Sequence, residues 1–218
     1  MEKYKKQFIK FISESDFPCI GAKAAIKKKC LKIIIGEDMR FAKDDLLILK
    51  EVYQFIARWK KKKTVYQTLS IIFKGPLNLQ EIEFESLLWQ RLQNLHNLDS
   101  KRFSWDAHVS SDTTRPEFSF SLGGAAFFIV GLHNNSSRKA RAFSYPALIF
   151  NLHEQFEILR KKGLYTRLRD KIRERDKSYS GSVNPMLSDF GSNSEALQYS
   201  GRRVSGNFNI PFKINKDT

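Results

Sequence analysis

The sequence predicts an α+β fold with a small central sheet flanked by helices, and three observations support this. Apolar residues recur at helical spacing through several long segments. Short, continuous apolar runs between them read as buried strands. No internal repeat and no long linker divides the chain, so residues 1–218 are expected to form one domain.

The elements follow in order. Lys3 to Ile12 places Tyr4, Phe8, Phe11 and Ile12 at helical spacing. Pro18 resets the backbone before a second short helix, Ala22 to Lys29. Leu31 to Ile35 reads as a buried strand. Asp44 to Trp59 is a longer amphipathic helix, with Leu47, Leu49, Val52, Phe55, Ile56 and Trp59 as its apolar positions. Val65 to Phe73 reads as a strand ended by Gly75-Pro76. Leu79 to Leu98 is the longest helix and turns Phe84, Leu87, Leu88, Leu92 and Leu95 to the core. Phe118 to Leu122 alternates and meets Gly123-Gly124, a strand and a tight turn. Ala125 to Val130 and Ala147 to Phe150 are further strands. Two helices follow, His153 to Arg160 and Leu164 to Lys177, separated at Gly163. A helix is also expected to start after Ser136-Ser137. Beyond Ser178 the chain is rich in Ser, Gly and Asn but keeps Met186, Leu187, Phe190 and Tyr199, so we expect an ordered, irregular segment.

The composition bounds the function. The chain has 218 residues, of which 41% are hydrophobic and 13% aromatic, enough for a packed core. A net charge of +15 favours acidic partners, nucleic acid or anionic surfaces without choosing among them. Cys19 and Cys30 are the two cysteines, eleven residues apart, which argues against a disulfide framework and for a reducing compartment. No apolar run follows Met1-Glu2-Lys3-Tyr4-Lys5-Lys6, and none is long enough to span a bilayer. The expectation is a cytoplasmic protein with no membrane partner.

Chemistry concentrates in a few motifs. Phe17-Pro18-Cys19-Ile20-Gly21 puts a thiol at the head of a helix, where free N–H groups and the helix dipole favour a thiolate, and Lys23 adds positive charge. Gly21 lets another group approach the backbone. The alternative is that Cys19 is a small buried packing residue. Further motifs are Trp89 to Asp99, containing His96; Phe127 to His133, followed by Ser136 to Arg141; Phe150 to Arg160, containing His153; and Asn184 to Gly191, running on through Ser194-Glu195-Ala196 to Gln198-Tyr199-Ser200-Gly201-Arg202.

In this order the motifs resemble the YqcI/YcgG family, from about Phe17 to Phe212. The Cys-x-Gly-x-x-x-Ala pattern from Cys19 to Ala25 also looks like the cysteine-ligand loop of thiolate-haem monooxygenases. The family resemblance implies haem chemistry, because haem-dependent N-hydroxylases such as that of guanitoxin biosynthesis are members. It implies haem b as cofactor, dioxygen as co-substrate and a guanidine- or amine-bearing, arginine-like small molecule as substrate. Relatives often carry a cysteine near the C-terminal Pro-Phe. Here Ile210 precedes Pro211-Phe212, which leaves Cys19 as the cysteine within a family motif.

The residue expectations follow from this resemblance. Cys19 is the candidate iron ligand beside Gly21, and His153, after a strand end, is the alternative ligand or a proton donor. His133 is a further catalytic candidate and His96 a further haem-binding one, whereas His108 reads as a surface residue. Arg138, Arg141 and Arg202 suit the haem propionates, since guanidinium donors form a planar fork. Asp189, Glu195 and Tyr199 are the candidate substrate-binding residues, with Glu154 and Glu157 as alternative carboxylates. No dinucleotide or flavin motif is present, so a separate reductase or ferredoxin is expected to supply electrons.

Three other readings compete. A haem sensor or carrier would bind without turnover. A nucleic-acid-binding protein would use the charge and the aromatics Tyr53, Trp59 and Tyr66, yet no recognised nucleic-acid motif is present. A metal hydrolase would need His96, His133 and His153 to converge, and no His-Glu-x-x-His occurs.

Overall fold

A computed structural model describes residues 1–186, 188–204 and 209–215. Leu187 lies outside the described residues. The fold is α+β, as expected. In chain order the elements are α1 (Glu2–Ser13), α2 (Ile20–Lys27), β1 (Leu31–Asp38), α3 (Asp45–Lys62), β2 (Thr68–Gly75), α4 (Glu81–Asp99), β3 (Phe120–Leu122), β4 (Ala125–Leu132), β5 (Ala147–Leu152), α5 (His153–Lys161) and α6 (Tyr165–Ser180).

The five strands form one sheet in the order β1-β2-β5-β4-β3. β1 and β2 are parallel, with Ile33 opposite Ser70, and α3 makes the crossover that parallel neighbours require. The other pairs are antiparallel, with Ile71 opposite Leu148 and Ile129 opposite Phe150. β3 and β4 form a hairpin through Gly123 and Gly124, whose φ angles of 59° and 66° explain why glycine occupies both turn positions.

Strand residues alternate between the sheet's two faces. Leu69, Ile71, Phe127, Ile129, Leu148 and Phe150 face one way and pack with Val52, Phe55, Phe84 and Leu88 of α3 and α4. At Gly131 α4 comes so close that an added Cβ would lie 2.6 Å from the Phe84 ring and 2.8 Å from Leu88. The opposite face carries Ile72, Leu132, Ala147 and Ile149 and packs with Phe8 and Ile12 of α1 and with Phe17. Helices α5 and α6 extend this second layer.

Two local expectations are corrected. No helix follows Ser136-Ser137, where the chain makes only a three-residue 3-10 turn, Lys139–Arg141. The reason is a competing bond: the Ser137 amide and hydroxyl both bond to Glu81 Oε1 of α4, at 2.9 and 2.7 Å. The second helix starts at Ile20 rather than Ala22, so Cys19 itself is the N-cap. The C-terminal segment is ordered as expected where described. It forms a 3-10 turn, Glu195–Gln198, and then binds β4 through the Tyr199 carbonyl, which accepts from the Gly131 amide at 2.7 Å.

Candidate functional site

The second face of the sheet bears a cavity of about 350 Å³. That size lies within the roughly 300–1,000 Å³ of small-molecule sites. Its floor is built by strand alternation: Leu31, Thr68 and Ser70, Phe128 and Val130, Ile149 and Asn151 all project from that face. α1, α2, α5, α6 and the C-terminal segment supply the walls, so most of the lining is apolar or aromatic.

Seven of the expected site residues line this cavity: Cys19, Gly21, Arg138, Arg141, His153, Asp189 and Glu195. Cys19 caps α2, and its Sγ accepts the Ala22 amide at 3.4 Å. Burial nevertheless pushes the thiol pKa up, with the Ala22 and Gly21 amides opposing it only in part. Lys23 gives no help, because its Nζ turns to the Glu14 and Ser15 carbonyls at 2.5 and 2.8 Å. Cys19 is therefore a protonated thiol at rest. A bound metal cation would change that, since a coordinating thiol loses its proton.

His153 begins α5 immediately after β5 and is buried, with its ring 4.3 Å from that of Phe190. Burial lowers its pKa, which favours the neutral ring. Its Nε2 is buried without a hydrogen-bond partner among the described residues. An unpaired ring nitrogen in an apolar wall is costly unless something binds it.

The arginines divide by environment. Arg138 forms a buried ion pair with Asp176 of α6 and donates to Ser182 Oγ at 2.9 Å. Arg141 is fully enclosed; its Nη1 donates to the Tyr199 carbonyl at 2.9 Å, and burial lowers its pKa to about 10. Gly201 makes room for it, because a Cβ there would lie 2.5 Å from Arg141 Cδ. Arg202 lies elsewhere: it pairs with Glu85 of α4, whose other oxygen accepts from Ser200 Oγ at 2.7 Å. The expected propionate role for Arg202 thus has no support in its position, and the pair instead fastens the C-terminal segment to α4.

The carboxylates also differ. Asp189 is half-exposed and bonds to Arg169 at 2.5 Å and Arg173 at 3.5 Å. Glu195 is buried, accepts from Ser119 Oγ at 2.7 Å and Tyr199 Oη at 2.6 Å, and has its pKa raised to about 8 by burial. Tyr199 stands one layer behind the cavity, stacked on Trp89, and positions Glu195. Glu154 is exposed and pairs with Lys63, and Glu157 pairs with Arg160.

The remaining histidines do not line the cavity. His96 lies in the aromatic core beside Trp105 and Phe212, and its Nε2 accepts the Asn215 amide at 3.2 Å. His133 stacks on Phe84 at 4.5 Å, on the α4 side. His108 is exposed, as expected. Among the described residues no three His, Cys, Asp or Glu side chains group as metal ligands.

Sequence reasoning missed Gln155, Gln198 and Arg160, which all line the cavity. A weak signal existed for Gln198: it lies three residues after Glu195, and side chains at that spacing eclipse on a 3-10 turn.

The residues present fit a haem. The lining is mainly apolar or aromatic, the Cys19 thiol and the unpartnered Nε2 of His153 border the same cavity, and Arg138 and Arg141 line it as well. Gly21 keeps the room beside the sulfur clear, since a Cβ there would lie 3.8 Å from Cys19 Sγ.

Fold and site together define an α+β protein with a buried, apolar ligand cavity bearing a thiol, an imidazole and a carboxyl. The chain belongs to the YqcI/YcgG family, whose model matches residues 8–213. It is 32% identical over 196 residues to "Uncharacterized protein YqcI" of Bacillus subtilis (strain 168), a match covering 85% of this chain and 76% of that protein. No solved structure matches the chain. No helix among the described residues is long and apolar enough to cross a membrane.

Proposed function

We propose that this protein is a haem-dependent monooxygenase that hydroxylates nitrogen on a guanidine- or amine-bearing small molecule. The observation that carries the reading is that the Cys19 thiol and the His153 ring, whose Nε2 has no partner among the described residues, line one mainly apolar cavity. Haem b, when bound, supplies the dioxygen chemistry that no side chain can perform. Cys19 would hold the iron as a thiolate, and Arg138 and Arg141, which line the same cavity, would be the residues to bind the propionates. His153, neutral at rest, accepts or donates a proton at Nε2, or takes the ligand role if Cys19 does not. The apolar lining excludes bulk water, which protects reactive species from side reactions.

Electrons come from a separate reductase or ferredoxin. Such donors are generally acidic, and the net charge of +15 favours their docking. Turnover supported by a reduced ferredoxin should therefore fall as salt rises.

Haemin titration of purified protein tests the cofactor assignment. One haem per chain, with uptake weakened by Cys19→Ala, is expected. Saturable uptake that ignores both Cys19→Ala and His153→Ala would remove the site from this cavity.

A further inference from the structure

The two edges of the sheet are finished differently. β3, at one edge, is three residues long, and the Tyr199 hydroxyl accepts its Phe120 amide at 3.0 Å. β1, at the other edge, is eight residues long and carries no proline. Most of β1 is only half-buried, whereas its neighbour β2 is buried along its first six residues.

The direction of its hydrogen bonds leaves one side of β1 open. Leu31 stands opposite Thr68, whose amide donates to the Cys30 carbonyl at 3.1 Å. Alternate residues of a parallel strand turn their backbone groups to opposite sides. Leu31, Ile33 and Ile35 therefore point their amides and carbonyls away from β2, and none of these groups bonds to another described residue. Their side chains are partly exposed and apolar. The opening ends at Glu37, whose amide donates to Asp44 Oδ2 at 2.6 Å. Native proteins protect such edges with charges, bulges or covering segments. The one lysine of β1, Lys32, is drawn aside to Glu51 of α3 at 3.1 Å.

The charges at the two ends of β1 select its partner. Lys27, Lys28 and Lys29 precede the strand and are exposed, and Glu37 and Asp38 close it. A second β1 laid antiparallel about Ile33 sets Leu31 of each copy opposite Ile35 of the other. The same register brings the lysines of each copy to the carboxylates of the other, as two-fold pairing requires. A parallel arrangement would set lysines against lysines. Glu37 and Asp38 already pair at the surface with Lys74 and Arg40, so the added attraction chiefly sets orientation. Backbone bonds and the apolar side chains supply the affinity.

We propose that β1 is a homodimer interface, through which two copies pair antiparallel and join their five-stranded sheets into one. This pairing is independent of the reaction proposed above.

Sedimentation velocity on the full chain over a concentration series tests the interface. The parent should form a dimer. Ile33→Pro removes an amide that points outward, so it takes no ladder bond from the fold. It should weaken the dimer by about tenfold or more, because each copy loses one bond at the two-fold. Glu37→Lys and Lys29→Glu should each weaken self-association about fivefold. An equimolar mixture of those two variants should dimerise like the parent, since each then meets its opposite charge. Circular dichroism checks that every variant is folded, and if Ile33→Pro folds poorly the mixture decides. A parent that stays monomeric at every concentration overturns the proposal, as does a monomer that binds a strand-forming peptide instead. A dimer that ignores both Ile33→Pro and the charge reversals puts the interface elsewhere and also overturns it.

Discussion

Tyr199 Oη lies 2.6 Å from Glu195 Oε1, and this contact couples the sheet's core to the cavity. The same hydroxyl accepts the Phe120 amide at 3.0 Å, so the carboxyl is held from β3. Burial raises the Tyr199 pKa well above its ordinary value, and the phenol stays protonated as a donor. Tyr199→Phe should remove this donor and cost about 1–3 kcal/mol of stability, measured by denaturant unfolding. Unchanged stability would show that this hydrogen bond does not hold the Glu195 carboxyl in place.

Glu195 makes stability depend on pH. Its folded pKa of about 8 lies above the ordinary carboxyl value, because burial outweighs the bonds from Tyr199 and Ser119 and the attraction of Arg160. The sign follows from linkage: the folded state holds the proton more tightly than the unfolded one. Its contribution is fully present below about pH 4.5 and is lost as pH rises toward about 8. The whole effect is at most about 5 kcal/mol. Glu195→Gln should flatten the fall in unfolding free energy between pH 5 and 8. Parallel pH profiles for parent and variant would contradict the assignment.

Arg138 and Arg202 should behave differently despite their similar place in the sequence motifs. Paired substitution of Arg138→Gln and Asp176→Asn removes the buried charges together and should lower haem affinity by about tenfold. Arg202→Ala leaves Glu85 without this partner and should cost about 3 kcal/mol of stability, while the folded fraction binds haem normally. Haem affinity that tracks Arg202 rather than Arg138 would relocate the propionates.

Gly131 sets how closely α4 approaches the sheet. Gly131→Ala should destabilise by about 1–3 kcal/mol, since the new Cβ meets the Phe84 ring and Leu88. A thermal unfolding midpoint equal to the parent's would show that α4 can shift without cost.

Much of the fold was legible because apolar period and length are local properties. The apolar run Ala125 to Val130 read as a central strand and Gly123-Gly124 as a tight turn, and the structure has both. The expected helix after Ser137 failed because Glu81, 56 residues away, captures its N-terminal donors. The site was half legible. Cys19 and His153 stand out by chemistry, and each follows a break between elements. Asp189 and Glu195 look alike in sequence, six residues apart in one polar segment. Only the fold pairs one with arginines at the surface and buries the other beside Tyr199. Lys23 shows the converse limit, since proximity along the chain did not bring its charge to the thiol. Arg202 and His96 carry suggestive chemistry but serve the packing of the C-terminal segment on α4.

The most direct measurement is the absorption spectrum of protein expressed with haem precursor, taken ferric, reduced, and reduced with carbon monoxide. A Soret band that moves far to the red with carbon monoxide, and is lost in Cys19→Ser, is the predicted result. Full-length folded protein that shows no Soret band with haem supplied would contradict the account.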